Sequence, residues 1–306
     1  MKQLNIGIIG AGRIGKVHMK SITYNVPGAK VLGITDVYKD ALPALAAEYG
    51  IEKIYGDYKE MLAGPEIDAV LVCSSTDTHA DISIEAAKAG KHIFCEKPVD
   101  LTPEKVLAVI KAVKEAGVKL QVGFNRRFDH NFSHIRELIN EGKIGKLELV
   151  KITSRDPEPP SAEYAAVSGG IFLDMTIHDF DMACFIAGSE VEEVYVNATC
   201  LVDPAIGEAG DVDTAIVSLK FKNGAIGVID NSRRAAYGYD QRVEAFGSLG
   251  AAVAANDTPT NVTLMTADGV MTDKPLYLLL ERYMQSFRVE IIYFVDAVQN
   301  DKHNPT

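Results

Sequence analysis

Cysteine is scarce in this chain, and the way it is placed argues against two classes of chemistry. The four thiols, Cys73, Cys95, Cys184 and Cys200, are widely spaced, form no CxxC and lie in apolar runs such as AVLVCSS and KHIFCEKP. Cysteine in such settings behaves as a small hydrophobe. Neither a disulfide framework nor a metal site is expected, and the usage suits a reducing compartment. Positive charge is also in short supply: 31 Lys and Arg stand against 42 Asp and Glu, for a formal net charge of −11. Nucleic-acid binding needs clustered cations to neutralise phosphates, so no such partner is expected. Long apolar runs are missing too. Nothing approaches the ~20 residues of a membrane-spanning helix, so no membrane partner is expected. The opening MKQLNIGIIGAG has too short an apolar stretch for a secretory leader and no cleavage-site pattern. A cytoplasmic protein is the expectation.

What the chain does have is core material, with 47% hydrophobic residues, and a length of 306 that exceeds what one hydrophobic core supports. Two domains are therefore expected. Residues 4–9, LNIGII, form a short apolar run that leads into GAGRIG, with Gly10, Gly12 and Gly15 in dinucleotide-binding register and Arg13 and Ile14 between them. The spacing predicts a strand, a helix through KVHMKSITYN, a break at VPG, and a second strand AKVLGITD ending at Asp36. In such a βαβ unit the helix N-terminus receives a pyrophosphate. The first glycine allows the tight turn, the second lets backbone approach phosphate, and the third permits close helix packing. Asp36 stands where a carboxylate accepts both ribose hydroxyls. Val37, where a cation would serve a 2′-phosphate, favours NAD over NADP.

The alternation of strands and helices continues to KLQVGFN and implies a doubly wound parallel sheet. Ligands in such sheets bind beyond the carboxyl ends of strands. Three polar clusters occupy those ends: Ser74, Ser75 and Thr76; Glu96 and Lys97; and Asn125 with Arg126 and Arg127. The first cluster is followed by His79 on the next helix, and His79 joins Ser74, Ser75, Thr76, Glu96, Lys97 and Asn125 as candidate cofactor contacts. Lys97 follows a buried strand, precedes a proline and points toward the nicotinamide end of the crevice, which makes it a functional candidate. The Lys97-Pro98 bond is a candidate cis peptide.

From about residue 125 the pattern changes to runs of strand character, including KLELVKITSR, VEEVYVNATCLV and DTAIVSLKFKNGAIGVIDNS. In the last of these, Asn223-Gly224 predicts a hairpin with a primed turn. The expected architecture is an N-terminal Rossmann domain over 1–124 and an α+β domain over 125–306, with a largely antiparallel open sheet for substrate binding and oligomerisation. Within it, Gly169-Gly170 breaks the chain and IFLDMTIHDFDMACFIAG reads as a helix capped at Gly188. Asp174 and His178 lie four apart on one face, with Asp179 and Asp181 pointing elsewhere. Read alone, the pair is a weak helix contact. The apolar residues around it imply a mostly buried helix, in which a partnered Asp and His suit a general base.

The strand-GAGRIG opening, EKP at 96–98 and GGIFLDMTIHDFDM at 169–182 together resemble the Gfo/Idh/MocA oxidoreductases. SRDP at 154–157 and NSRRAAYGYDQRVEAFGS at 231–248 are similar to the inositol 2-dehydrogenase subgroup of that family. The resemblance implies Lys97, Asp174 and His178 as the catalytic set, polyol contacts from Arg127, Asp156 and Tyr239 beside them, no metal, and a homotetramer built through the open sheets. It also implies NAD-dependent oxidation of a cyclic polyol, myo-inositol or an epimer, to the inosose. The alternatives are a dehydrogenase of another sugar or sugar acid, or a non-catalytic NAD-binding redox sensor. The sequence departs from the family pattern at Cys184, where Arg is usual, and at HNPT, beyond which a further helical segment is expected.

Overall fold

The apolar run Leu4–Ile9 forms strand β1 at the centre of a six-stranded parallel sheet. It is followed by α1 (Arg13–Asn25), β2 (Ala29–Thr35), α2 (Leu42–Tyr49), β3 (Lys53–Ile54) and α3 (Tyr58–Ala63). Then come β4 (Ala69–Val72), α4 (Thr76–Lys88), β5 (His92–Cys95), α5 (Pro103–Ala116) and β6 (Leu120–Val122). The strand order is β3-β2-β1-β4-β5-β6, the doubly wound arrangement, with every pairing parallel. Both faces are covered, so β4 is buried at every position and its sequence is continuously apolar. Alternate residues feed two cores: Ile6, Ile8, Leu71 and Phe94 pack with Met19 and Ile22 of α1, while Ile9, Val70 and Val72 pack with Met61 and Ile82. Gly50 and Gly117, which follow α2 and α5, take left-handed C-cap conformations. The short β3 and α3 carry no sequence signal strong enough to be expected.

The computed structural model describes residues 3–303, which fall into two compact units: residues up to Asn125 together with those from Gln285 onward, and Arg126–Met284. The second unit opens with α6 (His130–Asn140), capped by the Asp129 carboxylate, then β7 (Leu147–Arg155), α7 (Ala162–Val167) and α8 (Ile177–Ala187). It continues through β8 (Val191–Thr199), α9 (Pro204–Glu208), β9 (Thr214–Phe221), β10 (Ile226–Ser232), β11 (Asp240–Gly247) and β12 (Gly250–Ala254). These strands form a second sheet in the order β12-β11-β7-β10-β9-β8, antiparallel except where β7 meets β10. The expected largely antiparallel open sheet is present. Strand β9 alternates cleanly, with Ala215, Val217, Leu219 and Phe221 buried. A separate small hairpin, β13 (Thr263–Thr266) with β14 (Gly269–Thr272), is exposed throughout.

Two details differ from expectation. The hairpin at Asn223-Gly224 forms, but only Gly224 has positive φ (88°), and Gly224 N–H donates to the Phe221 carbonyl. That is a three-residue loop with a glycine bulge, a geometry that needs left-handed backbone at one position where a primed Asn-Gly turn needs it at two. The second difference is α10 (Leu279–Gln299), which was not anticipated. Its residues from Gln285 cluster with the first unit, although the expected division placed all of 125–306 in the second. The reason is packing: Ile291, Phe294 and Val295 complete the core that holds Phe94, Met19 and Ile22. Among the described residues, no helix is long and apolar enough to cross a membrane.

Candidate active site

In the first unit the glycines divide their work as the motif requires. Gly10 has φ of +99°, and a Cβ there would sit 2.5 Å from the Cys73 carbonyl group. A Cβ at Gly15 would collide with the Gly10 carbonyl oxygen, so α1 packs closely only because none is present. Gly12 is different. A Cβ there would meet nothing within 4 Å, and this N-cap residue makes no side-chain cap to the helix. The first N–H groups of a thirteen-residue helix therefore lack a side-chain acceptor and face an approach free of side chains. Arg13 is exposed and Ile14 half-buried beside them.

Asp36, just past β2, accepts the Ala11 N–H at 2.6 Å and the Tyr38 N–H at 2.7 Å. It ties the glycine loop to the strand end and retains lone pairs for ribose hydroxyls. The helix N-terminus without a side-chain cap and the acid at the end of β2 fit a dinucleotide. Ser74 bonds Thr78 hydroxyl to hydroxyl at 2.7 Å, and Ser75 stands at the N-cap position of α4, whose first residue is Thr76, without a side-chain cap bond. His79 is buried, with its ring nitrogens 3.0 and 2.8 Å from the carbonyl oxygens of Ser74 and Pro98. It braces the end of β4 against the end of β5. Asn125 is likewise buried and donates to Ser286 Oγ at 3.0 Å.

Lys97 follows β5 directly and is half-buried, and the Lys97-Pro98 bond is cis. Its neighbour Glu96 turns inward and pairs with His18 Nε2 at 2.7 Å. The close approach of β6 makes room for this: a Cβ on Gly123 would come within 3.0 Å of the Glu96 carboxylate.

The second unit carries the other cluster. The expected continuous helix is interrupted by a π turn, Phe172–Thr176, ahead of α8. The turn begins after Gly169 and Gly170, which have φ of 86° and 75°, and the Asp211 carboxylate accepts the Ile171 N–H at 3.0 Å. Bonding from i to i+5 widens the turn that holds Asp174. One Asp174 oxygen accepts from the Tyr164 hydroxyl and the other from Arg233 Nη1, each at 3.1 Å. The same Nη1 reaches Asp156 at 3.3 Å. Arg233 thus bridges two of the predicted site carboxylates. It is 3% exposed, and its Nε and Nη2 meet no hydrogen-bond partner. Burial raises the Asp156 carboxyl above its ordinary range, while Arg233 and then Arg126 pull it back down. His178 is half-buried one turn after Asp174.

Other polar groups underpin this floor. Asp179 is fully buried and takes Arg126 Nη1 at 2.5 Å and Asn231 Nδ2 at 2.8 Å. Burial raises its carboxyl, opposed chiefly by Arg126. Asp181 holds Arg127 bidentately, at 2.8 and 2.5 Å, over the Phe185 ring. The two Asp residues that the sequence set apart from the Asp174 face therefore anchor Arg126 and Arg127. Arg127, expected at the polyol, has its guanidinium fork turned to Asp181. Tyr239, also expected there, is buried edge-on to Tyr283 at 6.0 Å, and burial pushes its phenol well above the ordinary range. Sequence reasoning missed Arg233 and Tyr164. The quoted stretch NSRRAAYGYD contains Arg233, but nothing local separates it from Arg234.

Comparison with known proteins gives consistent matches. Residues 4–124 match the GFO_IDH_MocA oxidoreductase family, NAD-binding Rossmann fold, and residues 132–253 match the GFO/IDH/MocA C-terminal domain. The chain is 51% identical over 297 residues to myo-inositol 2-dehydrogenase of Thermotoga maritima, covering 97% of this chain and 89% of that protein. It is 48% identical to inositol 2-dehydrogenase of Rhizobium meliloti, with the same coverage of 97% and 89%. Its fold superposes on the crystal structure of scyllo-inositol dehydrogenase from Lactobacillus casei with bound NAD(H) and scyllo-inositol. The TM-score is 0.90 at 30% identity, over 99% of this chain and 91% of that one.

Proposed function

The chain belongs to the GFO/IDH/MocA oxidoreductase family, and from that premise we propose that it oxidises a cyclic polyol, myo-inositol or an epimer, to the corresponding inosose. NAD supplies the hydride acceptor when bound, at the glycine cradle and Asp36. His178 accepts the hydroxyl proton as the C–H bond breaks. Asp174 stabilises the imidazolium that results, and the Lys97 ammonium stabilises charge developing on the substrate oxygen. His178 must start unprotonated, so oxidation strengthens as pH rises through the imidazole's titration.

The observation that carries the polyol reading is the Asp156–Arg233–Asp174 bridge, in which a buried arginine holds two partly exposed carboxylates side by side. A neutral ring bearing many hydroxyls can donate to both acids. A sugar acid would bring a further negative charge to a site where two carboxylates already face one cation. A site that hydrogen-bonds several hydroxyls also discriminates strongly against analogues lacking one. A redox sensor would have no reason to carry Lys97, Asp174 and His178 together.

We also propose a cytoplasmic location, supported by four free thiols, and a homotetramer assembled through the second sheet. Register places Tyr195, Ile216 and Ile226 on its outer face, where all are exposed. The function is tested by following NADH formation with myo-inositol, scyllo-inositol, glucose and no substrate, in the natural protein and in His178→Ala. The variant should turn over on the order of 10²- to 10⁴-fold more slowly with NAD affinity nearly intact. Unchanged turnover would remove His178 from the mechanism, and a preference for glucose would move the substrate to another sugar.

A further inference from the structure

Behind Lys97, inside the first unit, three ionisable side chains share a buried pocket. His18 comes from α1, Glu96 from the end of β5 and Glu290 from α10, with relative exposures of 0%, 8% and 0%. One donor atom from each lies within 4.8 Å of the others. The walls are aromatic: the His18 ring stands edge-on to Phe94 at 5.2 Å and to Phe287 at 6.1 Å. The neighbouring thiols of Cys73 and Cys95 are both pushed up by burial and contribute no charge. Both oxygens of Glu290 lack a hydrogen-bond partner, as does His18 Nδ1.

Two buried carboxylates cannot both stay ionised here without compensation, because the desolvation penalty is several kcal/mol per ion. Either a metal cation or a proton must offset one of them. The His18–Glu96 distance separates the two. Nitrogen and oxygen ligands at ~2.0–2.1 Å from one tetrahedral cation would lie roughly 3.3 Å apart, whereas His18 Nε2 and Glu96 Oε1 are 2.7 Å apart. That is a hydrogen bond, with a proton where the metal would have to be.

We infer that Glu290 is held as the neutral acid beside Glu96, within 4.8 Å of it, and that it is a positioning residue which backs the Glu96-Lys97-Pro98 segment. One carboxylate then faces the imidazole and no second negative charge is buried. Burial pushes the Glu290 carboxyl well above its ordinary range, and the charge on Glu96 pushes the same way. The α10 helix that carries Glu290 is itself anchored, since Gln121 Nε2 on β6 donates to the Glu290 backbone carbonyl at 2.9 Å. The kinetic part of this inference rests on Lys97 acting in the proposed oxidation. The protonation part does not.

The test uses the full-length protein and the variants Glu290→Gln and Glu290→Leu. Infrared difference spectra without substrate should show a protonated-carboxyl band in the natural protein that is missing in Glu290→Gln. In NADH-formation assays Glu290→Leu should lower kcat by about 10- to 100-fold, the scale of a slightly misplaced catalytic group. KM for NAD should shift far less, and Glu290→Gln, which is neutral and has the shape of the protonated acid, should restore most of the loss. Circular dichroism on each variant verifies folding. A natural-protein spectrum without the band, or one equivalent of divalent metal lost on Glu290→Gln, overturns the protonation. Equal kcat in the Gln and Leu variants overturns the positioning role. Absence of polyol turnover in the natural protein would instead strike the proposed function, leaving the infrared result to decide the acid's state.

Discussion

Replacing Arg233 by Met keeps the length of the side chain and removes its charge, which isolates what the guanidinium does for Asp156 and Asp174. At an effective dielectric of about 20, a cation 3.1 to 3.3 Å from a carboxylate attracts it by about 5 kcal/mol before desolvation is counted. Most of that is offset by the burial of Arg233. What remains is the penalty for leaving two acids without their shared partner. Asp156 gives way, because burial already raises it and the variant deletes the largest influence holding it down. It takes up a proton and no longer offers a substrate hydroxyl a charged acceptor. A lost charge-assisted hydrogen bond costs about 1.5–3 kcal/mol, which is about 10- to 150-fold in kcat/KM for the polyol. The sign with pH follows: since the ionised form of Asp156 is the useful one, the deficit deepens as pH falls and shrinks as pH rises. The assay is kcat/KM for myo-inositol across a pH series, with NAD affinity measured separately and expected to hold. A variant within about twofold of the natural protein, or a deficit that ignores pH, would refute the reasoning.

At Gly12 an added methyl meets nothing within 4 Å, so Gly12→Ala should leave the thermal midpoint alone and weaken NAD binding on the order of tenfold or more, because the pyrophosphate needs that space. Gly15→Ala collides with the Gly10 carbonyl and should cost about 1–3 kcal/mol of stability; identical midpoints for the two variants would contradict these roles. Exchanging Asp36 for Ser together with Val37 for Arg should move the kcat/KM ratio toward NADP, and a double variant that still ignores NADP would show that the ribose lies elsewhere. Asp213 is buried, which alone would raise its carboxyl, yet the N–H groups of Leu201, Asp203 and Val202 and the Cys200 thiol prevail and hold it at about 2, below the ordinary 3.8. Its stabilising contribution is therefore present above pH ~4 and lost as pH falls through about 2. Urea denaturation of Asp213→Asn should show a stability deficit at neutral pH that closes in acid, and a constant gap would sink this account.

Much of the first unit was legible in advance because its signals are local. Strand β1, the three glycines and Asp36 depend on periodicity, φ and spacing within a few residues, and such patterns survive whatever packs around them. The hairpin at Asn223-Gly224 was legible for the same reason, although the bulge that closes it was not. The partners of the polar groups could not be read. Arg126 and Arg127 find Asp179 and Asp181 across 53 and 54 positions, and Arg233 finds Asp174 across 59. A carboxylate accepts any guanidinium brought within 3 Å or so, so composition permits many pairings and only the folded path of the chain selects one. The same holds for α10. Its apolar stripe states that one face is buried, but which core receives it, and hence that Glu290 arrives behind Lys97, follows from the return of the chain to a sheet laid down more than 160 residues earlier, as the 169-residue span from Gln121 to Glu290 records.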